Sequence, residues 1–566
     1  MYASRHKRTT APVGRLSRVQ QGSLWQKKFC DGPINSLTMN SSNTSEQLQA
    51  PLLSSDAMNY DDGEFYDEAE SNQAAPTMET LDDSEAQPIT ATREPEEEQE
   101  EAWYHNPHQL TAMVSNFSTS YNVVNISLVL PILERLHNST EEDAAACASS
   151  LLAGMIIGQL VGGALGDSFL GRLGALRLVM ALQIIASLAS ALLYGDKGDI
   201  YFSLAIWRFI LGVGAGGVYP LAAVLSAEQG SKHTHSSGDQ VHRVVLTFST
   251  QGLGFLAVPI VAVSLLHMTT KLDLVWRLIL GFGSVPGIFL MLLQCKIYAN
   301  ERSELQAVPL EEPDEGGTAF DEEEPGAIQS IAERRTGWWE SIRHEPGLCR
   351  KVVGTAGSWF LFDIVFYGNT IFQPIVVESA FGATESTDPL VLLRETAVDS
   401  LILTSIALPG YFVAGMIMGK HTCCLVQTPR YVMLQGFAAM GVLYFTIGIN
   451  WTYLRKYPAL LVFLYGMTFF FANYGPNTTT FILPSLLYSP ECRSTWNGIS
   501  AASGKLGALL GATLFEPAAH EWGDSCIMLI CAALAIFGCF LTYFFVPKED
   551  GNQSNVESQS SEEPMN

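Results

Sequence analysis

The chain has 566 residues, 48% of them hydrophobic and only 16% charged, whereas a soluble protein carries about a quarter charged residues. That shortage of charge excludes an ordinary water-soluble globule and points to a lipid solvent. The net charge of −25 says little about the apolar part, because most of the acid lies in the first hundred residues and in 300–325, and it offers nothing that would hold a nucleic acid.

Residues 1–106 are polar and end in the run Glu94-Pro95-Glu96-Glu97-Glu98. Such a segment buries too little apolar surface to offset its ordering entropy, and it is expected to be a disordered acidic cytoplasmic tail. The opening MYASRHKRTT lacks the apolar core and small-residue cleavage site of a signal peptide, so the first membrane helix is expected to do the targeting.

Apolar runs of about twenty residues then recur, each long enough to cross a hydrocarbon core of about 30 Å as a helix. They fall at 110–134, 144–166, 173–194, 200–228, 242–267, 274–298, 351–379, 397–420, 430–448, 457–487, 496–518 and 524–546. Their hydrophobicity is continuous rather than alternating, which excludes a β-barrel. The expected fold is therefore an all-α membrane protein with twelve transmembrane helices in two six-helix bundles, 107–299 and 351–547. A cytoplasmic central loop, 300–350, joins them, and 548–566 forms a second disordered tail. Lys and Arg are more frequent in the loops on the side of the two tails, among them Arg172, Arg177, Arg334, Arg335 and Arg350, than in those opposite. That bias predicts cytoplasmic termini and leaves the Asn138-Ser139-Thr140 sequon outside. The plasma membrane is the expected location, with an endomembrane as the alternative. A six-plus-six plan is the layout of a two-domain transporter whose site lies at mid-membrane between the halves. Trp338-Trp339 in the central loop reads either as a membrane-surface contact or as part of a plain linker. Ten Cys stand singly apart from Cys423-Cys424, with no spacing suited to a metal or a disulfide framework. They read as apolar filler, and no metal or other cofactor is expected.

Several stretches carry chemistry. After the second span comes Gly162-Gly163-Ala164-Leu165-Gly166-Asp167-Ser168-Phe169-Leu170-Gly171-Arg172; its glycines let helices approach closely, and Asp167 and Arg172 can pair across a gate. The fourth span contains Arg208 and the run Gly212-Val213-Gly214-Ala215-Gly216-Gly217-Val218-Tyr219-Pro220, read as a smooth packing face followed by a Tyr-Pro break. In the seventh, Trp359, Asp363 and Tyr367 are spaced four apart and share a helical face, and an acid inside a membrane span is a functional hypothesis by default. The tenth span has Asn473-Tyr474-Gly475-Pro476-Asn477-Thr478-Thr479-Thr480-Phe481, where Gly-Pro is expected to break the helix. Arg493-Ser494-Thr495 through Ser503-Gly504-Lys505 opens the eleventh. Read alone, Lys505 could snorkel to an interface; beside Asp363 and Asn477 it makes better sense as anion chemistry.

The Asp167–Arg172 turn resembles the G-x-x-x-D-(R/K)-x-G-R loop of the major facilitator superfamily, with one extra residue and Ser168 at a usually basic place. The fourth, seventh, tenth and eleventh spans look like the R-x-x-x-G-x-G-x-G-G-D-Y-P-L, W-x-x-x-D-x-x-x-Y, G-P-N-T-T-T-F and R-S-T-x-x-G-I-S-A-A-x-G-K stretches of its phosphate:proton symporter subfamily. Phe248 and Gln251 on the fifth span correspond to that subfamily's aromatic and Gln. The resemblance covers roughly 110–546. It implies the major facilitator fold and a phosphate site made of Tyr219, Phe248, Gln251, Trp359, Asp363, Tyr367, Asn477 and Lys505, with Asp363 in proton coupling and Asp167 and Arg172 in gating. Three acids of the subfamily's proton route are absent: Thr119 and Asn122 stand at two of those places and Val218 at the third. Asp363 is left as nearly the only central acid.

The expected function is secondary active transport of inorganic phosphate or a close oxyanion by alternating access, with a proton, or else sodium, as coupling ion and the lipid bilayer as the surroundings. The alternatives are a carrier of the same fold for a sugar, peptide or organic anion, and a receptor that binds its solute without transporting it. An enzyme is not expected, because no catalytic triad, metal cluster, P-loop or carboxylate pair can be assembled.

Overall fold

A computed structural model describes residues 106–137, 141–195, 197–228, 237–307, 337–381, 388–422 and 425–548. All of them belong to the unit Glu96–Asn566. The expectations for the acidic tail up to residue 105, the Asn138 sequon, Cys423-Cys424, residues 308–336 of the central loop and the tail after 548 lie outside these residues.

The long helical runs are α1 (Pro107–Val124 and Ile126–His137), α2 (Glu141–Ser168), α3 (Gly171–Ala191), α4 (Lys197–Glu228), α5 (Ser237–Met268) and α6 (Leu272–Phe282 and Val285–Ala307). The second half contributes α7 (Leu348–Val352, a π turn at Val353–Gly357, and Ser358–Phe381), α8 (Pro389–Ala407 and Pro409–Ile417), α9 (Pro429–Ile449), α10 (Pro458–Ala472, a π turn at Asn473–Asn477, and Thr478–Leu487), α11 (Arg493–Trp522) and α12 (Asp524–Phe545). Between α8 and α9 a two-stranded hairpin, β1 (His421–Thr422) and β2 (Leu425–Val426), pairs antiparallel. Among the described residues ten helices are long and apolar enough to cross a membrane, by length and composition. The chain is thus an integral, multi-pass, all-α membrane protein. The expected count of twelve would be completed by α1 and α7, whose interior faces are polar: α1 buries Ser115, Asn116, Ser118, Thr119, Ser120, Asn122 and Asn125, and α7 buries Asp363 and Asn369.

The helix starts follow local rules. Asn106 Oδ1 accepts from the backbone N–H of His108 at 3.0 Å and of Gln109 at 3.2 Å, ahead of Pro107, a side-chain cap with proline in the first turn. Asp388 does the same before Pro389, accepting from Leu390 N–H at 2.9 Å. That cap starts α8 eight residues before the expected 397, which brings Arg394 and Glu395 into the span Pro389–Ile417 beside Asp399, already within the expected run. The α2–α3 turn passes through Gly171 at φ 67° and the α11–α12 turn through Gly523 at φ 84°, left-handed conformations that favour glycine.

Two expected breaks are absent. Pro220 lies inside the continuous α4, and Gly475-Pro476 lies in the π turn of α10, which continues as helix. A π turn leaves carbonyls without their usual partners, and the neighbouring threonines supply them. Thr478 Oγ1 donates to Asn473 O at 2.5 Å, Thr479 Oγ1 to Gly475 O at 2.8 Å and Thr480 Oγ1 to Pro476 O at 2.8 Å.

Glycines set the closest helix contacts. Gly154, Gly158 and Gly162 of α2 face the backbone of α4 at Phe209, Val213 and Gly217, while Gly214 of α4 faces Val179 and Gln183 of α3. With no side chain between them the backbones meet directly, the packing that holds helices together in lipid. Across the two halves, Gly163 of α2 meets Ser494 of α11, and Gly498 of α11 meets Gln159 of α2. The N-terminus of α7 is fixed by Glu345. Its carboxylate accepts from Lys351 Nζ at 2.6 Å, Ser489 N at 3.3 Å and Cys492 Sγ at 3.3 Å. Cys492 therefore does more than fill apolar space.

Two outcomes follow from this packing. A Cβ at Gly158 would sit on the Val213 carbonyl, whereas one at Gly198 meets nothing within 4 Å. Gly158→Val is expected to cost at least about 2 kcal/mol and Gly198→Ala almost nothing, read as thermal unfolding in detergent. Burial by itself would raise the Glu345 carboxyl, but the donors Lys351, Ser489 and Cys492 outweigh it and hold it below the ordinary glutamate value. Its stabilising contribution is then fully present above about pH 4.3 and lost as pH falls through the depressed value. Glu345→Gln should remove that part of the acid dependence of the unfolding temperature.

Candidate functional site

Tyr219 of α4, Phe248 and Gln251 of α5, Trp359, Asp363 and Tyr367 of α7, Asn477 of α10 and Lys505 of α11 surround one cavity, joined by Phe366. The structure thus brings all eight sequence-predicted residues together from both halves. The cavity is about 10 Å³, roughly the room one water needs. At its centre Lys505 Nζ donates to Asp363 Oδ2 at 2.7 Å and to Tyr367 Oη at 3.1 Å. The ammonium lies 4.5 Å from the Tyr367 ring centroid and 5.8 Å from that of Tyr219. Lys505 does not snorkel: it is 3% exposed and Asp363 is 2% exposed. An ion pair so far from water persists only when geometry and added hydrogen bonds offset desolvation, and here the Tyr367 hydroxyl and the ring faces take part.

A second polar group adjoins this pair. Asn477 Nδ2 donates to Tyr411 Oη at 2.9 Å and to Asn473 Oδ1 at 2.8 Å, and Gln251 Nε2 donates to Tyr411 Oη at 3.3 Å. Gln251 Oε1 is buried without a partner. Aromatic rings close the cavity, with Phe248 4.6 Å from Phe481 and 5.7 Å from Tyr411, and Tyr219 6.3 Å from Phe481, between centroids. The set comprises one cation, one carboxylate and several neutral hydrogen-bonding groups in an apolar wall, an arrangement able to hold a small oxyanion and to exchange a proton with it.

Tyr411 and Phe366 are absent from the sequence reading. Tyr411 follows Leu408-Pro409-Gly410 in α8 and fits against α5 because position 252 is glycine: a Cβ there would meet the Tyr411 ring at 2.6 Å. A tyrosine beside Pro-Gly within an apolar run is the sequence signal for it. The places of the three absent acids are occupied structurally. Thr119 Oγ1 donates to Gln183 Oε1 at 2.9 Å, Asn122 Nδ2 donates to Gly283 O at 2.7 Å and Ser118 O at 2.9 Å, and Val218 packs in an apolar cluster with Val179, Met180 and Leu221.

The Asp167–Arg172 turn lies on the face that α11 enters. Arg172 pairs with Asp167 at 3.1 Å and with Glu228 of α4 at 2.9 Å, and it donates to Pro490 O at 2.5 Å. Asp167 also accepts from Ser494 N at 3.2 Å and from Thr495 N and Oγ1, both at 2.6 Å. The Asp therefore caps α11 of the other half. Trp338 Nε1 donates to Thr495 Oγ1 at 3.0 Å, so this part of the central loop docks on the turn and is not a plain linker. On the opposite face Arg394 of α8 donates to Leu266 O of α5 through Nε at 3.0 Å and Nη2 at 2.8 Å. The halves are held together at both ends of the cavity.

The family description Major Facilitator Superfamily matches residues 112–483, and that of Sugar (and other) transporters matches 427–554. A probable inorganic phosphate transporter 1-6 of Arabidopsis thaliana is 30% identical over 509 residues, covering 81% of this chain and 94% of that one. A probable inorganic phosphate transporter 1-12 of Oryza sativa is 29% identical over 518 residues, covering 81% and 92%. Inorganic phosphate transporter PT2 of Toxoplasma gondii is 29% identical, covering 77% and 71%. The fold resembles that of the proton:xylose symporter XylE bound to 6-bromo-6-deoxy-D-glucose, with a TM-score of 0.58, 17% identity and coverage of 79% and 96%. It also resembles a partially occluded inward-open form of XylE from E. coli, with a TM-score of 0.53, 18% identity and coverage of 79% and 98%. Paired helical bundles around a buried polar site and a match over most of the apolar chain lead to one conclusion: this protein belongs to the major facilitator superfamily, among the relatives of the plant inorganic phosphate transporters.

Proposed function

We propose that this protein is a secondary transporter of inorganic phosphate, coupled to protons through Asp363 and working by alternating access with both termini in the cytoplasm. The observation that carries the reading is the buried contact of Lys505 with Asp363 and Tyr367, at 2.7 and 3.1 Å, inside a cavity lined from both halves. Tyr219, Gln251, Trp359, Tyr367 and Asn477 surround the position an oxyanion would take, and their hydrogen-bonding groups are neutral. The plant relatives, named as inorganic phosphate transporters, support the choice of cargo.

The coupling follows from charge. In the closed site Lys505 is neutralised by Asp363. A phosphate monoanion arriving at Lys505 competes with that carboxylate, and one ammonium cannot stabilise two anions in a medium of low dielectric constant. Asp363 therefore takes up a proton as phosphate enters, and the protonated acid can donate to a phosphate oxygen. Return of the Lys505–Asp363 pair releases proton and anion together. Because the cavity is only about 10 Å³, roughly one water in size, phosphate enters only when the halves move apart on one side. Asp167, Arg172 and Thr495 hold one end closed and Arg394 with Leu266 the other.

A carrier of the same fold with another solute remains the second reading. The match to the Sugar (and other) transporter description over 427–554 favours it.

Phosphate uptake into proteoliposomes under an imposed pH gradient tests the scheme. Asp363→Asn should abolish proton-driven accumulation, and Lys505→Ala should weaken phosphate binding by at least about tenfold, the loss of one charge-assisted hydrogen bond. Uptake that is unchanged in Asp363→Asn refutes the coupling role, and uptake blocked by xylose but not by arsenate refutes the cargo. Asp167→Asn together with Thr495→Ala, which removes the cap linking α2 to α11, should raise the accessibility of a cysteine introduced at Ser503 to a thiol reagent on that face; unchanged labelling means that this contact is not a gate.

A further inference from the structure

Arg208 is a buried cation that the transport scheme leaves unused. It lies in α4, within the apolar span Gly198–Glu228, and is only 1% exposed. At about 1.5 Å per residue it stands roughly 16 Å along the helix from Tyr219, toward the Lys197 end, so it is separate from the central cavity. Its hydrogen bonds go to Asn125 Oδ1 from Nη1 at 2.9 Å and to Val123 O from Nη2 at 3.4 Å. Arg208 Nε has no partner, and neither does Asn125 Nδ2. Among the described residues no carboxylate pairs with it.

The other deeply buried cations are treated differently. Lys505 has Asp363 at 2.7 Å. Arg430 donates to Tyr543 O at 2.7 Å and Val546 O at 3.0 Å at the C-terminus of α12, where the helix dipole places partial negative charge. Arg208 has an amide oxygen and one long carbonyl contact as hydrogen-bond acceptors, with the neutral Cys147 thiol nearby. A guanidinium does not shed its proton at neutral pH, and an isolated charge removed from water is costly enough to demand a counter-charge. On α1 the direct neighbour Asn125 is neutral, and so are Thr119 and Asn122, which are engaged with Gln183 and Gly283.

We propose that Arg208 and Asn125 form a second anion site between α1 and α4, which binds a small inorganic monoanion, chloride or dihydrogen phosphate, as the counter-ion of the guanidinium. The two unpartnered N–H groups, Arg208 Nε and Asn125 Nδ2, are the donors available to it, and both are buried. The site does not depend on phosphate being the transported solute, because chloride meets the same requirement of charge.

The test is thermal unfolding of the purified full-length protein, followed by intrinsic fluorescence, as sodium gluconate is replaced by sodium chloride or by sodium phosphate at constant ionic strength. In chloride the unfolding temperature is expected to rise saturably, by about 3 °C or more, and to do so equally in Lys505→Ala, which lacks the cation of the central site; in Lys505→Ala phosphate is expected to give the same rise. Arg208→Gln should abolish the rise. In case that variant does not fold, Asn125→Asp serves as the second arm: it places a carboxylate where Oδ1 already lies 2.9 Å from Nη1. That variant should match the stability of the chloride-saturated parent in gluconate alone and gain nothing from chloride, and nothing from phosphate once Lys505→Ala has removed the central site. A response confined to phosphate, retained in Lys505→Ala and lost in Asn125→Asp, supports the site and identifies phosphate as its ion. The proposal is overturned if gluconate and both inorganic anions give the same curve, if the rise disappears in Lys505→Ala, or if Asn125→Asp responds as fully as the parent. Because none of these readings uses uptake, failure here leaves the transport scheme standing, and failure of the uptake test leaves this site standing.

Discussion

In a bilayer a lysine and an aspartate can remain buried only as each other's solvent. The Lys505–Asp363 contact at 2.7 Å meets that constraint, and most of the site is arranged around it. Tyr367 supplies a hydroxyl and a ring face to the ammonium, Tyr219 a second ring, and Phe248, Phe366 and Phe481 exclude water. The pair links α7 to α11, and the glycines at 504, 507 and 511 let α11 lie against Trp359, Phe360 and Ile364 of α7. The same low dielectric that makes the pair necessary makes a third charge intolerable without a proton, which is why anion arrival and protonation of Asp363 are proposed as one event.

The site and the contact at one end of the cavity share a helix. α11 carries Lys505 and, roughly 15 Å away along its axis, Thr495, whose N–H and hydroxyl are both held by Asp167 of the other half. A rigid helix transmits a displacement from one end to the other, so in the proposed scheme rearrangement at Lys505 would act on the Asp167–Thr495 cap. Trp338 joins the same threonine, which brings the central loop into that contact. At the opposite end Arg394 holds a carbonyl of α5. The Asp167–Thr495 and Arg394–Leu266 contacts each bond one half to the other, and under the proposed scheme each breaks when its side opens.

The neutral side chains on α1 deepen the contrast between the two bundles. Thr119 and Asn122 are tied into α3 and α6 by hydrogen bonds, and Val218 is packed in an apolar cluster. Asn122 donates to two carbonyls, which a carboxylate could not do, and Val218 has only apolar neighbours. The N-terminal bundle thus carries Arg208 without an acid, and the C-terminal bundle carries the paired Lys505 and Asp363. Asp399, half-buried in α8, is a further acid within the spans of the C-terminal bundle.

By itself the sequence determined what is local. Continuous apolar runs identified nearly every helix, because hydropathy over twenty residues is a property of the chain alone. The four-residue spacing of Trp359, Asp363 and Tyr367 placed them on one face before any partner was known. The eight cavity residues were legible through their resemblance to a family, whereas composition and spacing alone left Lys505 open to snorkelling. The tertiary structure decided the partners: Asp363 for Lys505, Thr495 for Asp167, Asn125 for Arg208 and Tyr411 for Asn477. Those choices join residues far apart in the chain, and they depend on how closely glycine-lined helices pack, which no local pattern encodes. Local rules also misplaced helix interruptions, since proline costs a helix little when neighbouring threonine hydroxyls satisfy the carbonyls of a π turn. The physical division is between chain-local free energies, which the sequence displays directly, and the pairing of buried polar groups, which only the assembled bundle can settle.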